Sequence, residues 1–175
     1  SKAKGLETEG ISTYVYEGSY RLPVKTVTDS IIKDFLTIDK IIGIGEIAVS
    51  DHRSSQPTFE EFARASADAR VGGMLSGKAG IVNVHLGGGK RKLELLTRVV
   101  EETEIPITQF LPTHANRTQE LLDASIEFAK KGGTIDFTAS EDPDFWERTD
   151  GEIRFSQALK QLIAAGVSLG HFTMT

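Results

Sequence analysis

The 175-residue chain contains four histidines, His52, His85, His114 and His171, and no cysteine, so any metal it holds must be bound through nitrogen or oxygen. Two of these histidines share one structural address. His85 sits near the C-terminal end of the apolar run Ile81–Leu86, and His114 follows the run Ile107–Leu111 after Pro112-Thr113. In a parallel barrel both strand ends point to one face, and adjacent strands lie about 4.8 Å apart, so two such imidazoles can converge on one metal or a close metal pair. Glu46 lies inside the apolar run Ile41–Val49, where an ionised carboxylate is costly unless it is paired or bound to a cation. A buried salt bridge to Arg53 or Arg117 would relieve that cost. With His85 and His114 one and two strands away, a metal ligand is the preferred reading.

Arg53 and Arg117 each fall a few residues beyond a candidate ligand, just past a strand end. A pair of guanidinium groups beside one mouth can grip carboxylates bidentately, which points to an anionic substrate. Tyr20, just after the first strand, can present a phenol to the same mouth as an electrophile toward a substrate oxygen. Alone it would be an ordinary loop tyrosine. His52 lies in a polar loop and reads as a loop residue or a neighbour of the ligands, and His171 receives no role.

Two glycine motifs compete for attention. Gly72 to Lys78 has the G-x-x-x-x-G-K spacing of a phosphate loop, but Ala79 stands where a serine or threonine is needed for magnesium, and the segment runs from helix to strand. It reads as a turn. Leu86-Gly87-Gly88-Gly89-Lys90 does run from strand to helix and is read either as a close-approach loop beside a site, with amides free to hold an anion, or as a plain turn.

The elements that must position these residues follow from periodicity. Strand patterns occur at Ile11–Tyr16, Ile41–Val49, Ile81–Leu86, Ile107–Leu111 and Thr134–Thr138, with a last strand opening at Val167. Helical patterns fall between them, from Thr28 to Ile38 and over about Thr58–Val71, Lys90–Glu102, Thr118–Lys131 and Ile153–Ala165. Nearly all-apolar strands alternating with helices predict an α/β chain with a parallel sheet buried on both faces. No glycine fingerprint follows the first strand, so a barrel is favoured over a doubly wound nucleotide fold. A (β/α)8 barrel needs eight strands and typically about 250 residues. Residues 1–175 are therefore expected to be part of one barrel domain, strands three to eight, with Ala3-Lys4-Gly5 closing an earlier helix and the chain an internal piece of a longer protein.

Composition narrows the partners. Twenty-five acidic against 20 basic residues give a net charge of −5 with the signs interleaved, which argues against nucleic acid. No apolar run reaches the roughly 20 residues of a membrane span, no signal-peptide layout is present, and the missing cysteines fit a reducing compartment; a cytoplasmic protein is expected.

The residues together resemble a known family. Glu17-Gly18-Ser19-Tyr20-Arg21-Leu22-Pro23, Ser50-Asp51-His52-Arg53-Ser54, Arg70-Val71-Gly72-Gly73, Leu111-Pro112-Thr113-His114-Ala115-Asn116-Arg117 and Lys131-Gly132-Gly133-Thr134-Ile135-Asp136 resemble the isoaspartyl dipeptidases, binuclear zinc enzymes of the amidohydrolase superfamily. The resemblance covers essentially the whole chain. It implies hydrolysis of β-aspartyl dipeptides by a metal-bridging hydroxide, with two Zn2+ ions or other divalent metals. It implies that His85 and His114 are the ligands from the fifth and sixth strands, that Tyr20 polarises the scissile carbonyl, and that Arg53 and Arg117 contact the substrate carboxylates. Counting back from Asp51, Glu46 stands where the family usually has a carboxylated, metal-bridging lysine, so the bridging role is carried over without the carbon dioxide chemistry. Three family features are not found in these residues: the paired histidines of the first strand, the aspartate after the eighth, and the glutamate that receives the substrate's α-amino group. A homo-oligomer is expected. The rival readings are another amidohydrolase, a cyclic-amide hydrolase or deaminase, and a noncatalytic barrel that binds anions through Leu86–Lys90 and its arginines.

Overall fold

The computed structural model describes residues 2–139 and 152–175. Its buried runs form parallel strands. β1 (Val15–Glu17), β2 (Ile41–Val49), β3 (Ile81–Leu86) and β4 (Phe110–Thr113) make a four-stranded parallel sheet in chain order. β5 (Ile135–Phe137) and β6 (Phe172–Met174) pair in parallel beside it. Asp136 helps join the two sheets. Asp136 on β5 accepts hydrogen bonds from the hydroxyls of Thr113 at 2.6 Å, Thr173 at 2.6 Å and Thr175 at 2.9 Å, while its carbonyl accepts the Ala115 amide at 3.0 Å.

Helices fill the connections: α1 (Lys2–Thr8), α2 (Ile31–Thr37), α3 (Phe59–Ser76), α4 (Glu94–Glu102), α5 (Gln119–Lys130) and α6 (Phe155–Ala164). Side-chain caps start several of them. Ser30 caps α2, Thr118 caps α5, and Thr58 with Glu61 forms a capping box that opens α3. The core lies between the helices and the strands, built on Phe35, Ile44, Phe62, Val82, Leu96, Phe110, Leu122 and Ile135, all fully buried. Phe62 of α3 stacks on Phe110 of β4 with ring centroids 5.7 Å apart. Parallel strands in chain order, alternating with helices, are the wall of a (β/α)8 barrel, and the described residues supply part of it.

Several element boundaries differ from the sequence expectation, each for a physical reason. The first strand is confined to Val15–Glu17, because alternation at Ile11 and Tyr14 is not matched by burial: both side chains are exposed. Helix α1 runs on to Thr8 and does not close at Gly5. The segment Ile107–Gln109 is a 3₁₀ turn, so the strand starts three residues later than expected and runs from Phe110 through Pro112 to Thr113. A similar 3₁₀ turn at Leu169–His171 delays the last strand to Phe172. Helix α3 continues past Val71 to Ser76, since Gly72 and Gly73 are contact points within it, packed against Phe35 and Gly80. The G-x-x-x-x-G-K segment is therefore mostly helix. Lys78 donates to the carbonyls of Phe35 and Ile38, both at 2.6 Å, and ties down the C-terminal end of α2.

Candidate metal and substrate site

The C-terminal ends of parallel strands face one mouth, and the chemistry-bearing side chains gather there. His85 is the penultimate residue of β3, in register with Ala48 of β2 and Thr113 of β4. His114 follows β4 immediately. Its backbone is left-handed, at φ 65°, a sparsely populated conformation for a residue with a side chain. The loop holding it is fixed by Asn116, fully buried, whose Nδ2 donates to the carbonyls of Thr138 at 3.0 Å and Ile153 at 2.7 Å and whose Oδ1 accepts the Thr138 amide at 2.8 Å.

Glu46 reaches the mouth through an irregularity in β2. The β2–β3 register shifts between Ile44 and Ile47, a bulge that turns the intervening residues out of the ladder. Gly45 makes this possible, with φ at 142° and no room for a Cβ, which would meet the Asn83 carbonyl oxygen at 2.6 Å. The Glu46 Oε2 then lies 2.7 Å from His85 Nδ1 and 3.9 Å from His114 Nε2. One ligand atom from each of the three residues falls within 4.8 Å of the others. The His114 and His85 rings hold the Glu46 carboxyl well below the usual carboxylate range, so it is ionised.

Two imidazole nitrogens and a carboxylate oxygen converging on one point form a donor set suited to a divalent cation such as zinc. The ring orientations fit as well. His114 Nδ1 lies 2.7 Å from the Thr138 hydroxyl, leaving Nε2 toward Glu46, and the His85 and His114 rings meet edge to face with centroids 4.6 Å apart. Neither arginine pairs with Glu46 among the described residues. They turn to Asp51 instead.

Arg53 donates Nε and Nη2 to the two oxygens of Asp51 at 2.9 and 2.8 Å, and its guanidinium lies over the Tyr20 ring at 5.1 Å from the centroid. Tyr20 in turn packs on His85, centroid to centroid 4.7 Å. The hydrogen bonds from Arg53 hold the Asp51 carboxyl well below its ordinary range. Arg117 lies 4.0 Å from Asp51 and 4.0 Å from Glu152, and its buried Nε has no hydrogen-bond partner among the described residues. The structure thus brings Tyr20, Glu46, Arg53, His85, His114 and Arg117 to one place. His52 stays outside it, its side chain 88% exposed. His171 sits in the 3₁₀ turn before β6, and its buried Nδ1 has no hydrogen-bond partner among the described residues.

The glycine loop after β3 is a close-approach loop. Gly87 and Gly89 donate their amides to the carbonyls of Val49 and Ser50, and a Cβ on either would strike the Ser50–Asp51 backbone. Those two amides are spent on the fold, which weakens the reading of this loop as an anion cradle. Sequence reasoning missed Asp51, Thr138 and Asn116. The signal available was local: an aspartate two residues before an arginine at a strand end, where it can accept the arginine's own amide, as Asp51 does at 2.7 Å.

No protein-family model matches the chain. Among solved structures, the β-aspartyl dipeptidase of the thermophilic keratin degrader Fervidobacterium islandicum AW-1, in complex with the β-Asp-Leu dipeptide, matches at 51% identity over 99% of this chain with a TM-score of 0.91. A second structure of that enzyme matches at the same identity and TM-score. Over nearly its whole length the chain is similar to these β-aspartyl dipeptidases. It spans 44–45% of the length of these two relatives. The phosphotriesterase homology protein of Escherichia coli, complexed with phosphate, aligns over 98% of this chain and 60% of its own at 16% identity and a TM-score of 0.68, which extends the likeness of fold beyond the β-aspartyl dipeptidases to a distant barrel.

Proposed function

We propose that the protein hydrolyses β-aspartyl dipeptides at a divalent metal centre held by Glu46, His85 and His114. The observation that carries this reading is the convergence of those three ligand atoms within 4.8 Å at a mouth that also presents Tyr20 and two arginines. The 51% identity to the β-aspartyl dipeptidases supports the substrate class. Zinc is the ion its nitrogen and oxygen donors suit, and a second ion bridged by Glu46, a cytoplasmic location and a homo-oligomeric assembly complete the reading.

An ion bound there supplies Lewis-acid polarisation of the amide carbonyl and lowers the pKa of water. The chain's own residues do the rest. The Tyr20 hydroxyl donates to the substrate oxygen as negative charge builds on it, a role that needs a donor fixed in advance, and packing against His85 and Arg53 fixes it. Arg117, with its Nε unpartnered among the described residues, offers a fork to one substrate carboxylate. Arg53 spends Nε and Nη2 on Asp51 and keeps Nη1 for the other.

The test is leucine release from β-Asp-Leu by the full-length protein before and after dialysis against a strong chelator. Loss of turnover on stripping, with recovery on adding zinc, is expected. Undiminished turnover by protein shown by elemental analysis to be metal-free would remove the metal from the account.

A further inference from the structure

Asp51 lies beyond the end of β2, and its side chain is only 3% exposed. Gly87 closes over it, approaching so near that any larger residue there would meet the Asp51 Cβ. A buried carboxylate needs partners, and Asp51 has them on two sides. Arg53 gives it three hydrogen bonds, from its amide at 2.7 Å, Nε at 2.9 Å and Nη2 at 2.8 Å. On the other side Oδ2 lies 3.3 Å from Nε2 of His85, the ring nitrogen opposite the one that faces Glu46.

The tautomer of His85 decides what this contact does. A neutral imidazole carries one proton, so a ring that offers its Nδ1 lone pair to a cation must carry that proton on Nε2 and needs an acceptor there. Two groups are within reach of Nε2. Arg53 Nη2, at 2.7 Å, is a donor only and can take no proton from the ring, its second N–H being directed to Asp51, whereas Asp51 Oδ2, at 3.3 Å, is an acceptor. Thr138 performs the mirror task at His114, taking Nδ1 at 2.7 Å and leaving Nε2 for the metal side.

We infer that Asp51 is a positioning residue that accepts the Nε2 proton of His85, aims Nδ1 at the metal position, and through the same carboxylate ties that ligand to Arg53. A proton on Nε2 requires the Arg53 Nη2, 2.7 Å away, to move off the ring while it keeps its bonds to Asp51. One buried carboxylate thereby couples ligand geometry to the placement of a substrate arginine. This inference rests on the metal reading of Glu46, His85 and His114.

The experiment measures zinc affinity of the full-length protein by competition with a chromophoric chelator, for wild type, Asp51→Ala, Asp51→Asn and Arg53→Met, with circular dichroism of each to check folding. Asp51→Ala is expected to lose about 10- to 100-fold in zinc affinity, the range typical of groups that orient a ligating histidine. Asp51→Asn, which keeps an acceptor oxygen without the charge, should fall between it and wild type. Arg53→Met, which removes two of the bonds that hold Asp51, should lose less zinc affinity than Asp51→Ala while raising KM. A folded Asp51→Ala with wild-type affinity, or an Arg53→Met that loses as much zinc as Asp51→Ala, would overturn the inference while leaving the metal reading standing. A wild type that binds no zinc would overturn both. Nitrogen-15 NMR of the zinc-loaded wild type gives a reading independent of any variant: His85 protonated on Nε2 is expected, and protonation on Nδ1 would contradict it.

Discussion

Glu46 carries a charge into a strand otherwise made of isoleucine, alanine, valine and glycine, and what stabilises it there are the two histidine rings beside it. If it binds cations, the charge itself is what matters. Glu46→Gln keeps the shape and loses the charge, so bound zinc should fall by at least one equivalent per chain, read by elemental analysis after gel filtration, because a neutral amide offsets no cationic charge. Unchanged zinc content would take Glu46 out of the ligand set. Arg117 is the complementary case, a guanidinium whose buried Nε lies 4.0 Å from Glu152 and has no hydrogen-bond partner among the described residues. Removing its fork by Arg117→Met should cost about 2 kcal/mol of transition-state stabilisation, roughly thirtyfold in kcat/KM on β-Asp-Leu. An unaltered kcat/KM would show that no substrate carboxylate meets it. His85, His114 and Glu46 were legible in the sequence because strand periodicity gives strand ends, and strand ends in a parallel barrel share a face. Asp51 was not. Its partner Arg53 is two residues away, so the pair looks like a solvated polar loop until the Gly87–Gly89 segment is seen to cover it.

At the scale of elements, the strand order and the number of strands could be read from apolar runs, but not the details that aim the side chains. The bulge in β2 leaves no mark except Gly45, and Gly72-Gly73 imitates a helix end where the helix in fact packs tightly against Phe35 and Gly80. The connection after β1, which carries Tyr20, is held by a pair of acids. Asp34 on α2 accepts the amides of Val27 and Thr28, and Glu17 at the end of β1 is buried beside it. Burial, with Asp34 alongside, pushes the Glu17 carboxyl up to about 8. Burial opposes ionisation of Asp34, but hydrogen bonds from Glu17, Thr28 and Val27 hold it lower than usual. The sign follows from linkage. Above about pH 4.3 the unfolded chain releases the Glu17 proton that the folded chain keeps, so this contribution to stability is full below that pH and is lost as pH rises toward 8. Asp34 acts in the opposite direction only in the acid range. Glu17→Gln has no proton to lose, so its melting temperature should fall less between pH 6 and pH 8.5 than that of the wild type. At pH 8.5 the variant should be the more stable by on the order of 1 kcal/mol, about 2–4 °C for a domain of this size. A variant as steep in pH as the wild type would show that Glu17 is ionised in the fold.

At the scale of the whole molecule, the parallel strands place one mouth at their C-terminal ends, where Glu46, His85, His114, Tyr20 and the two arginines gather. The geometry of that mouth makes a demand on the substrate. A β-aspartyl dipeptide carries two carboxylates, the α-carboxylate of its first residue and the terminal one, and a site that leaves either unpaired after losing water pays several kcal/mol. Arg53 and Arg117 both lie against Asp51 Oδ2, at 2.8 and 4.0 Å, beside the ligand cluster, and under the proposed function they are the groups that would meet these two carboxylates. In an α-linked dipeptide the carboxylate and the scissile bond stand at a different separation, so both arginines and the metal position cannot be satisfied at once. The most direct measurement is therefore a comparison of kcat/KM for β-Asp-Leu and α-Asp-Leu with the full-length, zinc-loaded protein. The β isomer should be cleaved at least about a hundredfold faster, the effect of losing one charge-assisted bidentate contact of some 3 kcal/mol. Equal turnover of the two isomers would contradict the assignment of the arginines and of the β-aspartyl substrate together.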